Sequence, residues 1–236
     1  MCGRVALFHH PTYYIEALRR YVEENILSIE IYKELEGKAS ALENQIGERY
    51  NLSPTSRLLA IDKNPEWNIE VMKWGLVPTW AKDDSIGIKC FNARSETMAE
   101  KPSFRSAFKR SRCIIPVDGY YEWKKQGSKK IPFYMTSDQP LFLAGLSEPK
   151  TKTITIVTKD SQGQLEEIHD RQPVALDGDE ITEWLDYHTP SEDLLGLVQS
   201  SSKNDWEIHQ VSTEVNNSRN EGNNLIVPTS DSNPTP

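Results

Sequence analysis

The chain opens Met1-Cys2-Gly3-Arg4, which puts a cysteine at the second position. Because the Cys2 side chain is small, we expect Met1 to be removed, which leaves an α-amine and a thiol on one residue. An α-amine ordinarily has a pKa of about 7.7–8.0 and a thiol one of about 8.5, so both nucleophiles are partly deprotonated near neutral pH. Cys2 is therefore a candidate nucleophile. The alternative is an ordinary small residue that opens a strand.

The composition describes a chain of 236 residues with a net charge of -8. The length suits one large domain or two small ones, and we predict one because no linker is visible inside it. The acidic balance argues against a nucleic-acid partner, but charge distribution matters more than the sum. Residues 101–130 hold nine Lys or Arg, against Asp118 and Glu122. We therefore expect a basic face on an acidic body, or else an ordinary solvated charged surface.

The cysteine and histidine patterns favour a protein of a reducing cytosol without a metal site. The three cysteines form no C-x-x-C pair and no apolar leader precedes them. Cys90 and Cys113 lie in apolar contexts and are expected to be buried. The five histidines show no ligand spacing, so we predict no metal and no cofactor. No stretch is long and apolar enough to cross a bilayer.

The elements that must position Cys2 are predicted to be mainly antiparallel strands with peripheral helices. Helical spacing of apolar residues predicts a helix over Tyr14–Val22, and the Glu-rich segment 28–47 predicts one or two surface helices. Because Asn and Pro favour chain reversal, 49–54 is predicted to be a loop. The other predicted helices are 95–110, 178–186 and 191–200, and the predicted strands are 5–8, 57–62, 69–74, 112–117, 119–124, 131–136, 140–146, 153–158 and 206–212. A Gly-containing hairpin loop is predicted at 125–130.

These elements predict an α+β domain built on a curled sheet or barrel. The domain is expected to cover residues 1–228. Residues 229–236 are Thr, Ser, Asp, Asn and Pro, too polar to pack, so we expect a disordered tail.

Six sequence blocks resemble the SRAP family, the SOS response-associated peptidases, and they occur in the family's order. The blocks are Met1-Cys2-Gly3-Arg4, Arg49-Tyr50-Asn51 with Pro54, Trp74-Gly75-Leu76-Val77-Pro78, Asn92-Ala93-Arg94-Ser95-Glu96, Asp118-Gly119-Tyr120-Tyr121-Glu122-Trp123 and Ile168-His169-Asp170-Arg171-Gln172-Pro173. The resemblance continues to Val215-Asn216-Asn217. The chain departs from the family in the long acidic segment before Arg49, in Leu52-Ser53 and in the polar tail.

The resemblance implies a protein that recognises abasic sites in single-stranded DNA and joins covalently to them through Cys2. The residue chemistry agrees with this. An abasic deoxyribose opens to an aldehyde, the α-amine of Cys2 condenses with it, and the thiol then closes a five-membered thiazolidine. Ring closure is intramolecular, and such reactions reach effective molarities of about 10⁵ M or more.

Glu122 and His169 match the family's positions for the proton transfers that this condensation needs. Strand alternation places Glu122 on one face and Tyr121 and Trp123 on the other. A carboxylate on an apolar strand is expected to have a raised pKa. Asn92 is expected to hold the sugar or the Cys2 amine. Without the family motif, a salt-bridged structural Glu and a structural His would be the alternatives.

The predicted DNA contacts are cations and aromatic residues. Guanidinium groups match phosphate oxygens, and aromatic rings stack on exposed bases. The predicted phosphate contacts are Arg4, Arg94 and Arg171, and the predicted base contacts are Trp74, Pro78 and Trp80. Core packing is the alternative for the tryptophans. Asn51 is expected to line the site.

Two other functions stay open. An N-terminal Cys-Gly also begins class II glutamine amidotransferases, and the family's name records peptidase activity, so Cys2 is alternatively the nucleophile of a peptidase or amidase. The usual Gly-Asn-Asp element of the amidotransferases is missing. A non-catalytic single-stranded DNA binder is the third possibility. The expected setting is a monomer in the cytoplasm, nucleoid-associated in a prokaryote, with abasic single-stranded DNA as partner and no membrane.

Overall fold

The computed structural model describes residues 2–23, 26–201 and 205–229. These residues form thirteen strands and six α-helices. The strands are β1 (Val5–Leu7), β2 (Arg49–Leu52), β3 (Arg57–Lys63), β4 (Trp67–Trp74), β5 (Asn92–Arg94), β6 (Arg112–Val117), β7 (Gly119–Gln126), β8 (Lys129–Thr136), β9 (Leu141–Glu148), β10 (Thr153–Asp160), β11 (Arg171–Pro173), β12 (Ala175–Leu176) and β13 (Glu207–Gln210). The α-helices are α1 (Pro11–Tyr21), α2 (Ile29–Ala41), α3 (Glu43–Ile46), α4 (Arg105–Arg110), α5 (Asp179–Leu185) and α6 (Ser191–Ser200), and 3₁₀ helices cover Asp84–Lys89, Gly163–Glu167, Thr213–Asn216 and Asn223–Leu225.

Two sheets make up the fold. The first has the strand order β13-β8-β7-β1-β2. The second runs β11-β10-β4-β3-β6-β9-β12, and β5 pairs with β10 beside it. Strand β10 also pairs antiparallel with β9, so β10, β4, β3, β6 and β9 close on themselves. The predicted α+β domain on a curled, largely antiparallel sheet is confirmed.

The core lies inside the closed sheet and beneath the helices. Every residue of β6 is buried, as expected for an apolar strand covered on both faces. Helix α1 begins with Pro11, whose fixed φ suits the first helical position, and it buries Tyr14 and Leu18 against the sheet. Cys90 and Cys113 are buried as predicted. Among the described residues, no helix combines the length and the apolar character needed to span a bilayer.

Two secondary-structure predictions are wrong. Residues Arg49–Leu52 form β2, because their backbone pairs with β1 and not with itself in a turn. The predicted helix 95–110 is helical only at Arg105–Arg110 and consists of turns before that. Pro102 explains the break, since a proline disfavours helical geometry at the residue before it. Most of the predicted tail, 230–236, lies outside the described residues.

One member of the basic run does not contribute to a basic face. Arg112 is buried and donates to the backbone carbonyls of Phe108, Trp184 and Asp186 at 2.9, 2.6 and 2.7 Å. Its guanidinium also lies 4.6 Å from the ring centre of Tyr187. This cation holds the end of α5, where carbonyl groups lack helical partners.

Candidate active site

The first sheet brings Cys2 and Glu122 together. Cys2 precedes β1, which pairs antiparallel with β7 through Val5 and Tyr120. The backbone N–H of Tyr121 donates to the carbonyl of Arg4 at 2.9 Å, so the chain before Val5 continues along β7 towards Glu122. The carboxylate charge of Glu122 reaches the Cys2 thiol and raises its pKa, in addition to the larger effect of burial.

The second sheet supplies His169 and Asn92. Strand β10 pairs with β5, which carries Asn92, and with β11, which His169 precedes by two residues. Nε2 of His169 lies 3.9 Å from Oε2 of Glu122. Asn92 is buried, and its Nδ2 donates to the carbonyl of Phe91 at 3.0 Å. Among the described residues, its buried Oδ1 has no hydrogen-bond partner, which leaves one acceptor available.

Glu122 is the titrating group of the site. Its side chain is almost fully buried, and burial raises its pKa to about 7. Burial outweighs the interactions that lower this pKa, the hydrogen bond from the backbone N–H of Trp123 among them. Both protonation states of Glu122 are therefore populated at neutral pH, which suits a group that both accepts and donates protons. Within the described part of the chain, no group of three or more His, Cys, Asp or Glu residues is placed to hold a metal ion.

His169 complements Glu122 as a neutral imidazole. Its Nδ1 accepts the backbone N–H of Arg171 at 3.0 Å, and Nε2 is the ring nitrogen nearer Glu122. Asp170 Oδ1 lies 2.8 Å from Nδ1 and favours the charged ring. Burial acts in the opposite direction and prevails, so the pKa of His169 is lowered.

The thiol of Cys2 is not activated in advance. Cys2 is fully buried, and this burial raises the pKa of the thiol far above its usual range. A thiol of this kind is a poor first nucleophile, since the thiolate is the reactive form. The arrangement therefore favours chemistry that the α-amine begins and the thiol completes, with the charge of Glu122 acting on the thiol.

Arg4 and Asn51 fasten the C-terminal loop to the start of β1. Nη1 of Arg4 donates to Oδ1 of Asn51 at 2.5 Å and to the carbonyl of Val215 at 2.7 Å. Nδ2 of Asn51 donates to the carbonyls of Asn217 and Asn220, both at 3.0 Å. The sequence predicts that Asn51 lines the site. In the structure Asn51 lies on β2, next to β1, and its hydrogen bonds hold Arg4 and the C-terminal loop together.

The comparison with known proteins begins with a family model. The model described as SOS response associated peptidase (SRAP) matches residues 1–218. The chain belongs to the SRAP family. The sequence resemblance is thereby confirmed, and the match covers every element up to the 3₁₀ helix Thr213–Asn216.

Curated relatives carry a common description. The chain is 41% identical over 189 residues to "Abasic site processing protein YoqW" of Bacillus subtilis, an alignment that covers 75% of this chain and 84% of that protein. It is 35% identical to "Abasic site processing protein HMCES" of Xenopus tropicalis, covering 72% and 63%, and 32% identical to "Abasic site processing protein YedK" of Escherichia coli, covering 76% and 84%.

Solved structures share the fold. A protein from Bacteroides thetaiotaomicron superposes with a TM-score of 0.73 at 23% identity, covering 95% of this chain and 99% of that one. A phage-related protein from Bordetella bronchiseptica gives 0.67 at 26% identity, covering 90% and 95%. The SRAP fold is therefore common to all three chains.

Two of the arginines that are predicted to contact phosphate, Arg94 and Arg171, differ in their exposure and in the partners that they already bind. Arg94 is exposed on β5. Arg171 is buried, and its guanidinium binds Glu96 at 2.7 and 3.0 Å and also Asp160. No sequence pattern singled out these two acids, although Glu96 stands in the same block as Arg94. Arg171 would have to share its N–H groups with them to reach a phosphate.

The residues that are predicted to contact bases also differ in their exposure. Trp74 is fully buried, and its indole N–H donates to the carbonyl of Phe91 at 2.8 Å, so the prediction that it stacks on a base is corrected. Its ring fills the core, where an aromatic side chain buries the most apolar surface. Pro78 is buried as well. Trp80 is 58% exposed and keeps its ring available.

Proposed function

We propose that this SRAP protein, once Met1 is removed, binds single-stranded DNA at abasic sites and forms a covalent thiazolidine with them through Cys2. The names of the relatives support the substrate. The observation that carries the proposal is the group of Cys2, Glu122 and His169. Glu122 has a pKa of about 7, acts electrostatically on Cys2 and lies 3.9 Å from His169.

The reaction proceeds in two bond-forming steps. The α-amine of Cys2 attacks the C1′ aldehyde of the opened sugar, and loss of one water gives an imine. The sulfur then adds to C1′, and the thiol proton ends on the nitrogen. Protonated Glu122, or His169 when its ring is charged, supplies the proton that removes water, and ionised Glu122 takes the thiol proton. Proton transfers of this kind contribute typically 10²–10⁴-fold to a rate.

Ring closure protects the strand. An open imine at C1′ acts as an electron sink and permits β-elimination of the 3′ phosphate, which breaks the DNA. The thiazolidine has no C=N bond, so that route is closed. The lesion then remains attached to an intact strand. This accounts for a thiol and an amine on the same residue.

We assign DNA binding to the predicted contact residues that are exposed. Arg94 is the first candidate for a phosphate contact, and Trp80 is the candidate for stacking on an unpaired base. Arg171 shares its guanidinium with Glu96 and Asp160 and is the weaker candidate. One chain supplies all the reacting groups, so a monomer suffices for the reaction.

The test uses a single-stranded oligonucleotide with one abasic site. We expect a species stable to heat and SDS whose mass equals the protein without Met1, plus the oligonucleotide, minus one water. Cys2→Ala should give none. Cys2→Ser should give an imine that decays on heating and lets the strand break.

The proposal fails if intact and abasic strands behave alike, or if intact mass shows that Met1 is retained. A Cys2-dependent turnover of amide substrates without a DNA adduct would instead support the hydrolase. Unchanged DNA binding by Cys2→Ala with no adduct from the wild type would support the simple binder.

A further inference from the structure

Strands β7 and β8 continue past Glu122 as a two-stranded ribbon. Strand β1 pairs with β7 at Gly119 and Tyr120, and β13 pairs with β8 from Phe133 onwards. Among the described strands, residues 124–131 therefore pair only with each other. Residues 125–130, at the tip, are all exposed. The ribbon thus projects from the sheet next to the reacting group.

The tip places like charges against each other. Lys125 lies directly opposite Lys130, and Lys129 lies opposite Gln126. Like charges in directly opposed positions destabilise a strand pair. By contrast, Lys124, just before the tip, is paired with Glu167, their charged atoms 3.6 Å apart. A surface selected only for solubility has no need to concentrate three lysines at one turn in this way.

The geometry of the turn fixes these lysines in place. The register ends at Gln126 and Lys129, which leaves a loop of two residues. Gly127 has a φ of 60°, which glycine adopts without strain and which tight hairpins need. By strand alternation, Lys129 lies on the face of Glu122, and Lys125 and Lys130 lie on the face of Trp123. The tip therefore presents cations on both faces.

We propose that Lys125, Lys129 and Lys130 form a phosphate-binding tip that contacts the DNA backbone flanking the abasic site. The inference rests on the proposed function for the identity of that strand. Lys125 is three residues beyond Glu122, about 10 Å along a strand, so the phosphates concerned lie close to the reacting sugar. Cations on both faces suit a polyanion that crosses the ribbon better than a single small anion. In a chain of net charge -8, such a tip also directs where DNA approaches.

The experiment compares two triple variants of equal charge. The test variant is Lys125→Gln with Lys129→Gln and Lys130→Gln. The control is Lys33→Gln with Lys109→Gln and Lys150→Gln, which removes three exposed lysines from α2, α4 and the β9–β10 turn. Affinity for an intact single-stranded oligonucleotide is measured by fluorescence anisotropy over a range of salt concentrations.

We expect the salt slope of the test variant to fall by about 0.7 for each phosphate that the tip no longer binds, which corresponds to roughly fivefold weaker binding per phosphate at 0.1 M salt. The control should keep the wild-type slope. The Tm of the test variant should stay unchanged or rise, because a repulsive pair is removed. If the triple variant unfolds, Lys125→Gln and Lys130→Gln are measured singly.

Equal slopes for the test and control variants would overturn the inference and leave the lysines as solvated surface. Because anisotropy with intact DNA needs no adduct, a wild type that binds but does not cross-link would contradict the proposed function alone. A wild type that cross-links while the two variants bind alike would contradict the tip alone.

Discussion

Asp118 and Glu122 lie at opposite ends of the paired stretch of β1 and β7. Both are buried carboxylates, but their surroundings differ. Asp118 is 5% exposed, and its Oδ2 accepts the backbone N–H of Phe8 at 2.6 Å and the hydroxyl of Tyr14 at 2.5 Å. Nδ1 of His9 lies 2.5 Å from Oδ1. Glu122 is 3% exposed, and the backbone N–H of Trp123 does not outweigh the effect of burial on its pKa.

The difference teaches that burial alone does not decide what a carboxylate does. Asp118 accepts hydrogen bonds from Phe8, just after β1, and from Tyr14 in α1, so its carboxyl group joins these two elements to the start of β7. At Glu122 burial outweighs the interactions that lower the pKa, so this carboxyl group holds its proton at a higher pH than an exposed one. The start of β7 thereby lies beside a structural joint near Phe8, and β7 itself carries the carboxylate near Cys2 for which we propose proton transfer.

Removing the joint should have the largest effect. Asp118→Ala leaves Phe8, Tyr14 and His9 without their shared acceptor, and breaking a buried pair of this kind costs about 3–5 kcal/mol of folding free energy. Urea denaturation measures the loss. The cross-linking rate constant of the molecules that remain folded should match that of the wild type, because Asp118 takes no part in the proposed reaction. The final amount of adduct reports the folded fraction, and the rate constant reports the chemistry. A loss under about 1 kcal/mol would contradict this assignment.

Glu122→Gln should have the opposite effect on stability. Burial raises the pKa of Glu122 from 4.5 to about 7, so the folded state prefers the protonated carboxyl. Its stabilising contribution is complete below pH 4.5 and is lost as the pH rises to about 7. Above that, Glu122→Gln should be more stable than the wild type by up to about 3 kcal/mol, and at pH 4.5 the two should agree.

Denaturation at several pH values tests this, with Glu34→Gln on the exposed side of α2 as a surface control. A difference between Glu122→Gln and wild type that is the same at every pH would show that Glu122 does not titrate with a raised pKa. The comparison between the two carboxylates would then lose its electrostatic basis.

The sequence singled out the candidate site residues Cys2, Glu122 and His169, but it did not single out Asp118. Cys2, Glu122 and His169 were recognisable because their residue types carry chemistry and their blocks resemble a family. Asp118 stood in the same block as Glu122 without a role, because its partners Phe8 and Tyr14 are more than a hundred positions away. Long-range donors of this kind leave no local pattern.

Strand pairing and burial set the other limits. Asn and Pro favour a turn locally at 49–54, but pairing with β1 makes 49–52 a strand, and the turn begins only at Pro54. Trp74 and Arg171 have the residue types of DNA contacts, and only their burial shows where their polar groups are used. The strands β6 to β10 were predicted correctly, because each is a long apolar or alternating run.

Glu122→Gln should also separate chemistry from binding. The substitution preserves shape and hydrogen bonding but removes the group that transfers protons. The cross-linking rate at saturating DNA should fall by about 10²-fold, equivalent to about 2.7 kcal/mol, and the DNA concentration for half-saturation should hardly change. Asp118→Asn, just before β7, is the matched control, and it should keep the saturated rate. Equal losses for the two variants would remove the distinction between the two carboxylates.

Arg94→Ala should have the smallest effect, and it should act only on the reacting end. An exposed guanidinium that binds one phosphate releases about 0.7 of a counterion on single-stranded DNA, so the magnitude of the log-affinity versus log-salt slope should fall by about 0.7. At 0.1 M salt this is roughly fivefold weaker binding, and saturating DNA should restore the wild-type cross-linking rate. Arg20→Ala is the control, since Arg20 is an exposed cation on α1, beyond the joint, paired with Glu16. The cross-linking rate is measured against DNA concentration, and a lower saturated rate for Arg94→Ala would show that Arg94 acts on the reacting atoms and not on binding. If Arg20→Ala changes the salt slope as much as Arg94→Ala does, DNA does not distinguish the Glu122 end from the Asp118 end.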